Sequence, residues 1–168
     1  KLQSRDYLKP GDELPFKSPQ LFLIGEKKHI QVPTDEFGHQ FGLNNIEWRE
    51  DSSAFTFEYN QRGHQAYKVI AVDAITGAVK VLVNEVSKTF IDYSGKKYRY
   101  DIDDGKEIIW TSERDGWNHI YLYDGETGKV KRQLTKGEWV VRNVIHVDEE
   151  NREVYFTASG MDKGQDPY

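Results

Sequence analysis

Short runs of β-branched and aromatic residues, bounded by Gly, Asn or Asp, recur along the chain. Such residues suit a pleated, half-buried surface, so the runs are typical of β-strands. They occupy residues 54–59, 67–72, 79–83, 108–111, 120–123 and 154–157. No stretch of eleven or more residues keeps the apolar spacing of an amphipathic helix. The pattern therefore predicts an all-β fold with little or no helix.

Glycine-containing segments separate these runs where hairpins need turns. Residues 73–77 (Asp-Ala-Ile-Thr-Gly) and 124–128 (Asp-Gly-Glu-Thr-Gly) share one pattern. An Asp side chain can accept backbone N–H groups, and Gly adopts the positive φ that the returning strand requires. We expect both segments to close antiparallel hairpins.

The same order of turns and strands occurs more than once. Asp51 corresponds to Asp104, residues 55–57 to 108–110 and Arg62-Gly63 to Asp115-Gly116, each pair 53 positions apart, while segments 73–77 and 124–128 are 51 positions apart. A further copy begins near Val144. Repeats of this length with three or four short strands are typical of propeller blades, whose apolar faces are covered by neighbouring blades.

The repeats predict a partial β-propeller of about three four-stranded antiparallel blades. We expect residues 1–168 to be a fragment of one propeller domain, with repeats at about 1–46, 47–90 and 91–143 and an incomplete one at 144–168. The sequence opens without Met and ends just after a strand-like run, which favours a piece of a longer protein. A β-sandwich, whose strands also recur every 8–12 residues, is the alternative.

Composition narrows the classes of function. The net charge is −5 and the pI about 5.6, which argues against nucleic-acid binding because such proteins need a basic face. The chain contains no Cys and so can form neither a disulfide nor a thiolate metal site. Its apolar runs reach only four or five residues, so we expect no membrane span.

No catalytic or metal-binding motif is recognisable. The acidic run Asp101-x-Asp103-Asp104-Gly105 resembles the start of an EF-hand loop, but Lys106 and Ser112 occupy the positions that require Gly and Glu. The five histidines show no metal-ligand spacing, and His119, between aromatic residues, is expected to be structural. No serine lies in Gly-x-Ser-x-Gly. We expect no catalytic residue, no metal site and no cofactor in this chain.

One basic and aromatic segment, residues 96–100 (Lys-Lys-Tyr-Arg-Tyr), is a candidate binding element. Between two blades it could contact an anionic or peptide ligand in the central channel. A solvated crossover is the alternative, since charge runs usually face water. Tyr98 and Arg99 are the predicted substrate-facing residues.

Several motifs in order along the chain carry a family resemblance. The most specific is Ser-Glu-Arg-Asp-Gly-Trp-Asn-His at 112–119, and the others are Tyr7-x-Lys9-x-Gly11, Tyr-Asn-Gln-Arg-Gly-His-Gln at 59–65 and Gln-Leu-Thr-Lys-Gly-Glu-Trp at 133–139. Together they resemble the N-terminal propeller region of dipeptidyl peptidase IV-like enzymes, a branch of the prolyl oligopeptidase family of serine peptidases.

The resemblance implies a parent enzyme in which the propeller caps an α/β-hydrolase domain of the same chain. Such enzymes remove Xaa-Pro or Xaa-Ala dipeptides from peptide N-termini. The family's catalytic triad would lie beyond Tyr168, and its paired amine-binding glutamates would precede Lys1. This chain would then be a non-catalytic segment that gates and positions the peptide substrate. The family also suggests a periplasmic or cell-surface location.

Two points stay open from the sequence. The family's usual Pro and Ala in the opening motif are Leu8 and Pro10 here, which leaves the cleavage preference undetermined. A stand-alone propeller that binds proteins without a peptidase is the alternative function. Because a partial propeller exposes strand edges, we also expect a homodimer or strand exchange.

Overall fold

The computed structural model describes residue 9 and residues 11–167. Tyr7, Leu8 and Pro10 of the opening motif lie outside these residues. The described part of the chain forms strands joined by turns, with one short 3₁₀ helix at Asp35–Phe37 and no helix able to span a membrane. The strands are β1 (Gln20–Leu23), β2 (Lys28–Gln31), β3 (Gln40–Trp48), β4 (Ala54–Gln61), β5 (Ala66–Asp73), β6 (Val79–Val86), β7 (Arg99–Ile102), β8 (Glu107–Ser112), β9 (His119–Asp124), β10 (Val130–Gln133), β11 (Val140–Asp148) and β12 (Glu153–Ser159).

The strands form four antiparallel sheets in sequence order. Strands β3 to β6 make one four-stranded sheet, and β7 to β10 make a second. Two-stranded pairs flank them, β1 with β2 before and β11 with β12 after. Within each sheet, every strand pairs with the strands next to it in sequence, and the sheets formed by the described residues do not close into a ring. The all-β partial propeller predicted from the sequence is confirmed, whereas the limits of the sequence repeats stay a prediction.

Apolar clusters fill the spaces between consecutive sheets. Strand β8 shows why a single sheet cannot cover its own core: Ile108 and Trp110 point into the cluster shared with the first four-stranded sheet, while Ile109 points into the cluster shared with β11 and β12. Successive side chains of a strand face opposite sides, so both faces of the sheet are apolar. Each sheet therefore depends on its neighbours for burial, as propeller blades do.

The two Asp-x-x-Thr-Gly segments form the same hydrogen-bonded turn. Asp73 Oδ1 accepts hydrogen bonds from the Thr76 backbone N–H at 2.7 Å and its hydroxyl at 2.8 Å. Asp124 Oδ1 accepts the equivalent bonds from Thr127 at 2.6 and 2.8 Å. The closing glycines have φ of +73° and +74°. The turn chemistry predicted from the sequence is thus confirmed at both places.

Each of these turns lies on the last strand of the preceding sheet. A Cβ atom on Gly77 would come within 2.7 Å of Ile30 in β2, and one on Gly128 within 2.9 Å of the Val81 carbonyl oxygen in β6. Strand β2 therefore contacts the first four-stranded sheet in the same way as β6 contacts the second. The contact fixes how one sheet follows the next.

Candidate functional site

The predicted residues Tyr98 and Arg99 line an open cavity of about 460 Å³ between the two four-stranded sheets. Strands β3 and β4 form one side, and β7 with the residues just before it forms the other. The lining residues are mostly charged or aromatic: Asn45, Glu47, Glu58, Lys97, Tyr98, Arg99, Tyr100 and Asp101. The structure thus brings most of the basic and aromatic segment into one polar site.

Arg99 is the best-anchored cation of this cavity. Its side chain is only 5% exposed. Nε donates to Asp101 Oδ1 at 2.7 Å, and Nη2 donates to Asp101 Oδ2 at 2.6 Å and to the Thr56 hydroxyl at 2.8 Å. Burial lowers the pKa of Arg99, but the bonds and charge of Asp101 outweigh it and the net pKa is raised. The guanidinium is therefore charged and is held in one orientation by Asp101 on its own strand and by Thr56 on the facing sheet.

A second buried ion pair lies beside it. Lys97 Nζ and the Tyr67 hydroxyl each donate to Glu58 Oε2 at 2.6 Å. The ammonium also lies over the rings of Tyr67 and Trp110, at 4.6 and 4.9 Å from their centroids. Burial raises the pKa of Glu58, but the charge and hydrogen bond of Lys97, with the Tyr67 bond, lower it overall. Glu58 is thus ionised in the interior.

The aromatic residues of the segment have separate roles. The Tyr98 backbone N–H donates to the Thr111 hydroxyl at 2.7 Å, and its side chain packs against the apolar cluster around Ile109. Tyr100 donates its hydroxyl to Glu149 in the β11–β12 turn at 2.9 Å. These contacts place both tyrosine side chains in the gap between the second four-stranded sheet and β11–β12. Lys97 and Arg99 are the residues of the segment that bond to the first four-stranded sheet.

The basic segment is only partly solvated. Lys96 pairs with Glu113 and both side chains are 40% exposed. Lys97, in contrast, pairs with the buried Glu58 across the gap between the sheets, and Arg99 pairs with Asp101 on its own strand. The sequence did not reveal the partner of Lys97, because Glu58 lies in an apolar strand 39 positions before it.

The acidic run at 101–105 links neighbouring sheets. Arg49 at the end of β3 donates to the Asp104 carbonyl at 2.6 Å and pairs with Asp101 at 3.3 Å. The Glu50 backbone N–H bonds to the Asp104 carboxylate at 3.0 Å. Residues 9 and 11–167 contain no group of three or more His, Cys, Asp or Glu side chains placed to hold a metal ion.

A second polar network that sequence reasoning missed surrounds Glu85 on β6. Its carboxylate accepts hydrogen bonds from Ser112 and Arg114, both at 2.7 Å, and from Trp110 Nε1 at 3.2 Å. A smaller cavity of about 240 Å³ adjoins it. Ser112 and Arg114 belong to the most specific motif of the sequence, and Glu85 is their partner across the sheets. Its only sequence signal is an acid within an apolar strand.

His119, from the same motif, is fully buried. Its Nε2 lies 2.9 Å from the Gly137 carbonyl oxygen and its Nδ1 lies 3.1 Å from the Thr135 hydroxyl. The Trp139 ring packs edge-on against the imidazole. Both nitrogens are engaged, so His119 ties β9 to the loop before β11, as expected of a structural residue.

Comparisons with known proteins agree on one family. The profile of the family described as "Dipeptidyl peptidase IV (DPP IV) N-terminal region" matches residues 1–167. Dipeptidyl peptidase 4 of Trichophyton equinum is 40% identical over 77 residues, covering 45% of this chain and 9% of that protein. The "probable dipeptidyl peptidase 4" of Aspergillus flavus is 26% identical over 160 residues, covering 91% of this chain and 21% of that protein.

Structural similarity extends over most of the chain. The crystal structure of Porphyromonas gingivalis dipeptidyl peptidase 4 superposes with a TM-score of 0.66 at 20% identity, covering 84% of this chain and 20% of that chain. At this identity the likeness establishes the fold alone. The chain thus spans about a fifth or less of the length of these relatives.

Proposed function

This chain belongs to the family of dipeptidyl peptidase IV N-terminal regions, and from that premise we propose that it is a non-catalytic propeller segment of a serine exopeptidase. The enzyme removes Xaa-Pro or Xaa-Ala dipeptides from peptide N-termini. The observation that carries the proposal is the family match over residues 1–167. The partners are peptide substrates and an α/β-hydrolase domain in the same polypeptide.

In this proposal the segment positions the peptide substrate and controls its access to the hydrolase domain. An extended peptide presents backbone carbonyl and N–H groups, which need fixed polar partners to hold one register. The cavity between the two four-stranded sheets supplies charged groups whose orientation is set by buried bonds, such as that of Arg99 to Asp101. We assign Tyr98 and Arg99 to the surface that faces the peptide.

The decisive experiment is an assay of the full-length protein with Gly-Pro and Ala-Pro chromogenic substrates, with this chain alone as the control. The expected result is dipeptide release by the full-length protein and none by the chain. Absence of release in both contradicts the proposal and favours a stand-alone propeller that binds other proteins. The sequence after Tyr168 discriminates in the same way, since the peptidase requires a Gly-x-Ser-x-Gly element.

The role of Arg99 has its own test in the full-length enzyme. Arg99→Lys keeps the positive charge but loses the paired bonds of a planar guanidinium to Asp101. We expect KM for a peptide substrate to rise several-fold with little change in kcat, since positioning acts on binding. Arg62→Lys, in an exposed turn, is the matched control. Unchanged KM in Arg99→Lys would remove this residue from the site.

A further inference from the structure

The strand pairs at the two ends of the described chain are complementary halves of a four-stranded sheet. Strand β2 receives the Gly77 turn as β6 receives the Gly128 turn, so β1 and β2, the leading pair, hold the third and fourth positions of a sheet. Strands β11 and β12, the trailing pair, follow β10 as β7 and β8 follow β6, and so hold the first and second positions. The leading pair of one copy would therefore complete the sheet that the trailing pair of another begins.

Both pairs have a free edge where such a sheet would join. Among the described residues, β12 pairs only with β11, and β1 pairs only with β2. In the complete sheets the second and third strands pair antiparallel, as β4 does with β5 and β8 with β9. Strand β1 (Gln20–Leu23) contains neither a charged residue nor Pro, which are the side chains that protect a sheet edge from pairing. The same antiparallel pairing is thus open to β12 of one copy and β1 of another.

Phe22 of the leading pair suits a cavity beside the trailing pair. Leu21 faces the first four-stranded sheet of its own chain, so Phe22 points to the opposite side, where it is 67% exposed and stacks on His29 with ring centroids 4.7 Å apart. An open cavity of about 400 Å³ lies between the second four-stranded sheet and the trailing pair. Its apolar lining residues are Ile102, Ile109, Leu122, Leu134, Val147 and Val154. A strand added beside β12 would turn its Phe22 side toward this cavity.

The trailing pair in turn suits an uncovered part of the first four-stranded sheet. Val154 and Phe156 face the second four-stranded sheet, so Tyr155 between them points away from it and is 50% exposed. Trp48 of β3 is 53% exposed and lies beside Phe55, on the face that the leading pair covers at β4 and β5. In a joined sheet the trailing pair would lie over β3 of the other copy and cover Trp48.

We propose that two copies of this chain bind each other head to tail, with β12 of each copy paired to β1 of the other. The two contacts are related by a twofold axis and close a ring of six four-stranded sheets. Propellers typically contain about four to eight such sheets. One copy closed on itself would have three and a ring of three copies would have nine, so two copies are the closed assembly that the fold allows. This interface does not rest on the proposed function.

The mass of the chain in solution tests the assembly. Sedimentation equilibrium over a concentration series should give twice the mass of the chain at high concentration and no larger species, because a closed dimer leaves neither edge free. A monomer throughout overturns the proposal and favours strands of the full-length polypeptide as the cover of both edges. Mass that keeps rising beyond the dimer overturns the closed ring.

Phe22→Lys tests the leading side of the contact. The change removes an aromatic side chain from the interface and brings an ammonium group toward Lys131 and Arg152, which border the cavity. We expect the dimer dissociation constant to rise at least about tenfold, since the lost burial of one aromatic side chain exceeds the free energy of a factor of ten. Val86→Lys on β6, where Val86 is 66% exposed, is the matched control and should leave the constant unchanged. An unchanged constant in Phe22→Lys contradicts the contact and favours pairing of β12 with β12.

A mixture of two variants tests the direction of the contact. In Phe22→Lys alone, and in Tyr155→Lys alone, every head-to-tail contact contains one substituted side. An equimolar mixture also allows one contact in which both sides are unsubstituted. We expect the mixture to show a higher average mass than either variant at the same total concentration. A mixture no heavier than the separate variants overturns head-to-tail binding.

Discussion

At the scale of single residues, the notable feature is a set of charged side chains between the two four-stranded sheets, each of which makes a defined hydrogen bond. Glu58, Lys97 and Arg99 are buried, and each is bonded to a group on the facing sheet or the same strand. Replacing such a group with an apolar one of similar shape can be neutral, but removing one partner leaves an isolated charge in the interior. The Lys97–Glu58 pair joins the residues before β7 to β4, so loss of either partner would leave an isolated charge between the two sheets.

Removal of the Glu58 carboxylate should be strongly destabilising. In Glu58→Gln, Lys97 loses its counter-charge while it stays buried among Tyr67 and Trp110. We expect a loss of about 3–5 kcal/mol in the free energy of unfolding, measured by urea denaturation. Glu36→Gln, which removes a more exposed ion pair, should cost less than about 1 kcal/mol. Equal effects of the two changes would contradict this account of the buried pair.

The same carboxylate should shape the acid limb of stability. Its pKa is lowered from 4.5 in the folded protein, so its stabilising contribution is present above that value and is lost as the pH falls through the folded pKa. Between pH 6 and pH 3 the melting temperature of the unmodified chain should fall more steeply than that of Glu58→Gln. Parallel curves for the two proteins would show that Glu58 titrates normally.

Sequence reasoning reached only part of the site at this scale. The basic and aromatic run drew attention to Tyr98 and Arg99, because concentrated charge is visible locally. Glu58 and Glu85 were missed, since an acid inside an apolar strand carries no local sign of its partner. Those partners lie 39 and 29 positions away, at Lys97 and Arg114. Only the packing of one sheet on the next brings them together.

At the scale of elements, the repeated turn is the best-defined unit. The Asp, Thr and Gly of segments 73–77 and 124–128 were sufficient to predict the turn, because all of its hydrogen bonds are local. The seating of each turn on the preceding sheet was not predictable, since it depends on a strand about fifty positions earlier. The close approach explains why glycine is needed beyond its conformational freedom.

Substitution of Gly128 should separate these two requirements. Gly128 has a φ of +74°, and the Cβ atom of Gly128→Ala would lie within 2.9 Å of the Val81 carbonyl oxygen. We therefore expect this change to lower the free energy of unfolding by at least about 2 kcal/mol. Gly116→Ala, with φ of +98° and open space, should show only the conformational cost of about 1–2 kcal/mol. Gly25→Ala, with neither constraint, should stay within about 0.5 kcal/mol. Chemical denaturation of the three variants gives the order, and equal losses in Gly128→Ala and Gly116→Ala would refute the contact.

At the scale of the whole molecule, the sheets follow one another in the order of the sequence repeats, and β12 forms the free edge of the last sheet among the described residues. Strand β12 pairs only with β11 among the described residues. It carries the half-exposed Tyr155, and the neighbouring β11 exposes Ile145. An unpaired edge with exposed apolar residues is a template for pairing with another chain. The fold class was predictable because blades repeat, whereas the polar contacts between blades were not, because they differ from one gap to the next.

This chain should self-associate through the β12 edge as its concentration rises. Tyr155→Lys introduces a charge at that edge and should shift the equilibrium toward the monomer. Ile75→Lys, which removes an exposed apolar residue from a turn far from the edge, is the control and should have little effect. Analytical ultracentrifugation over a concentration series measures the change. A chain that stays monomeric throughout, or variants that behave alike, would count against this edge.

The seating of Gly77 on β2 and of Gly128 on β6 also defines where the molecule can be recombined. A segment from residue 78 to residue 128, exchanged between related proteins, would contain both β6 and the turn that packs on it. Both sides of that contact would then come from the same protein. A chimaera joined at the sheet limits, near residues 87 and 134, would instead join a foreign turn to a native strand. Grafts between relatives should therefore fold when the junctions follow the two glycines and fail more often when they follow the sheets.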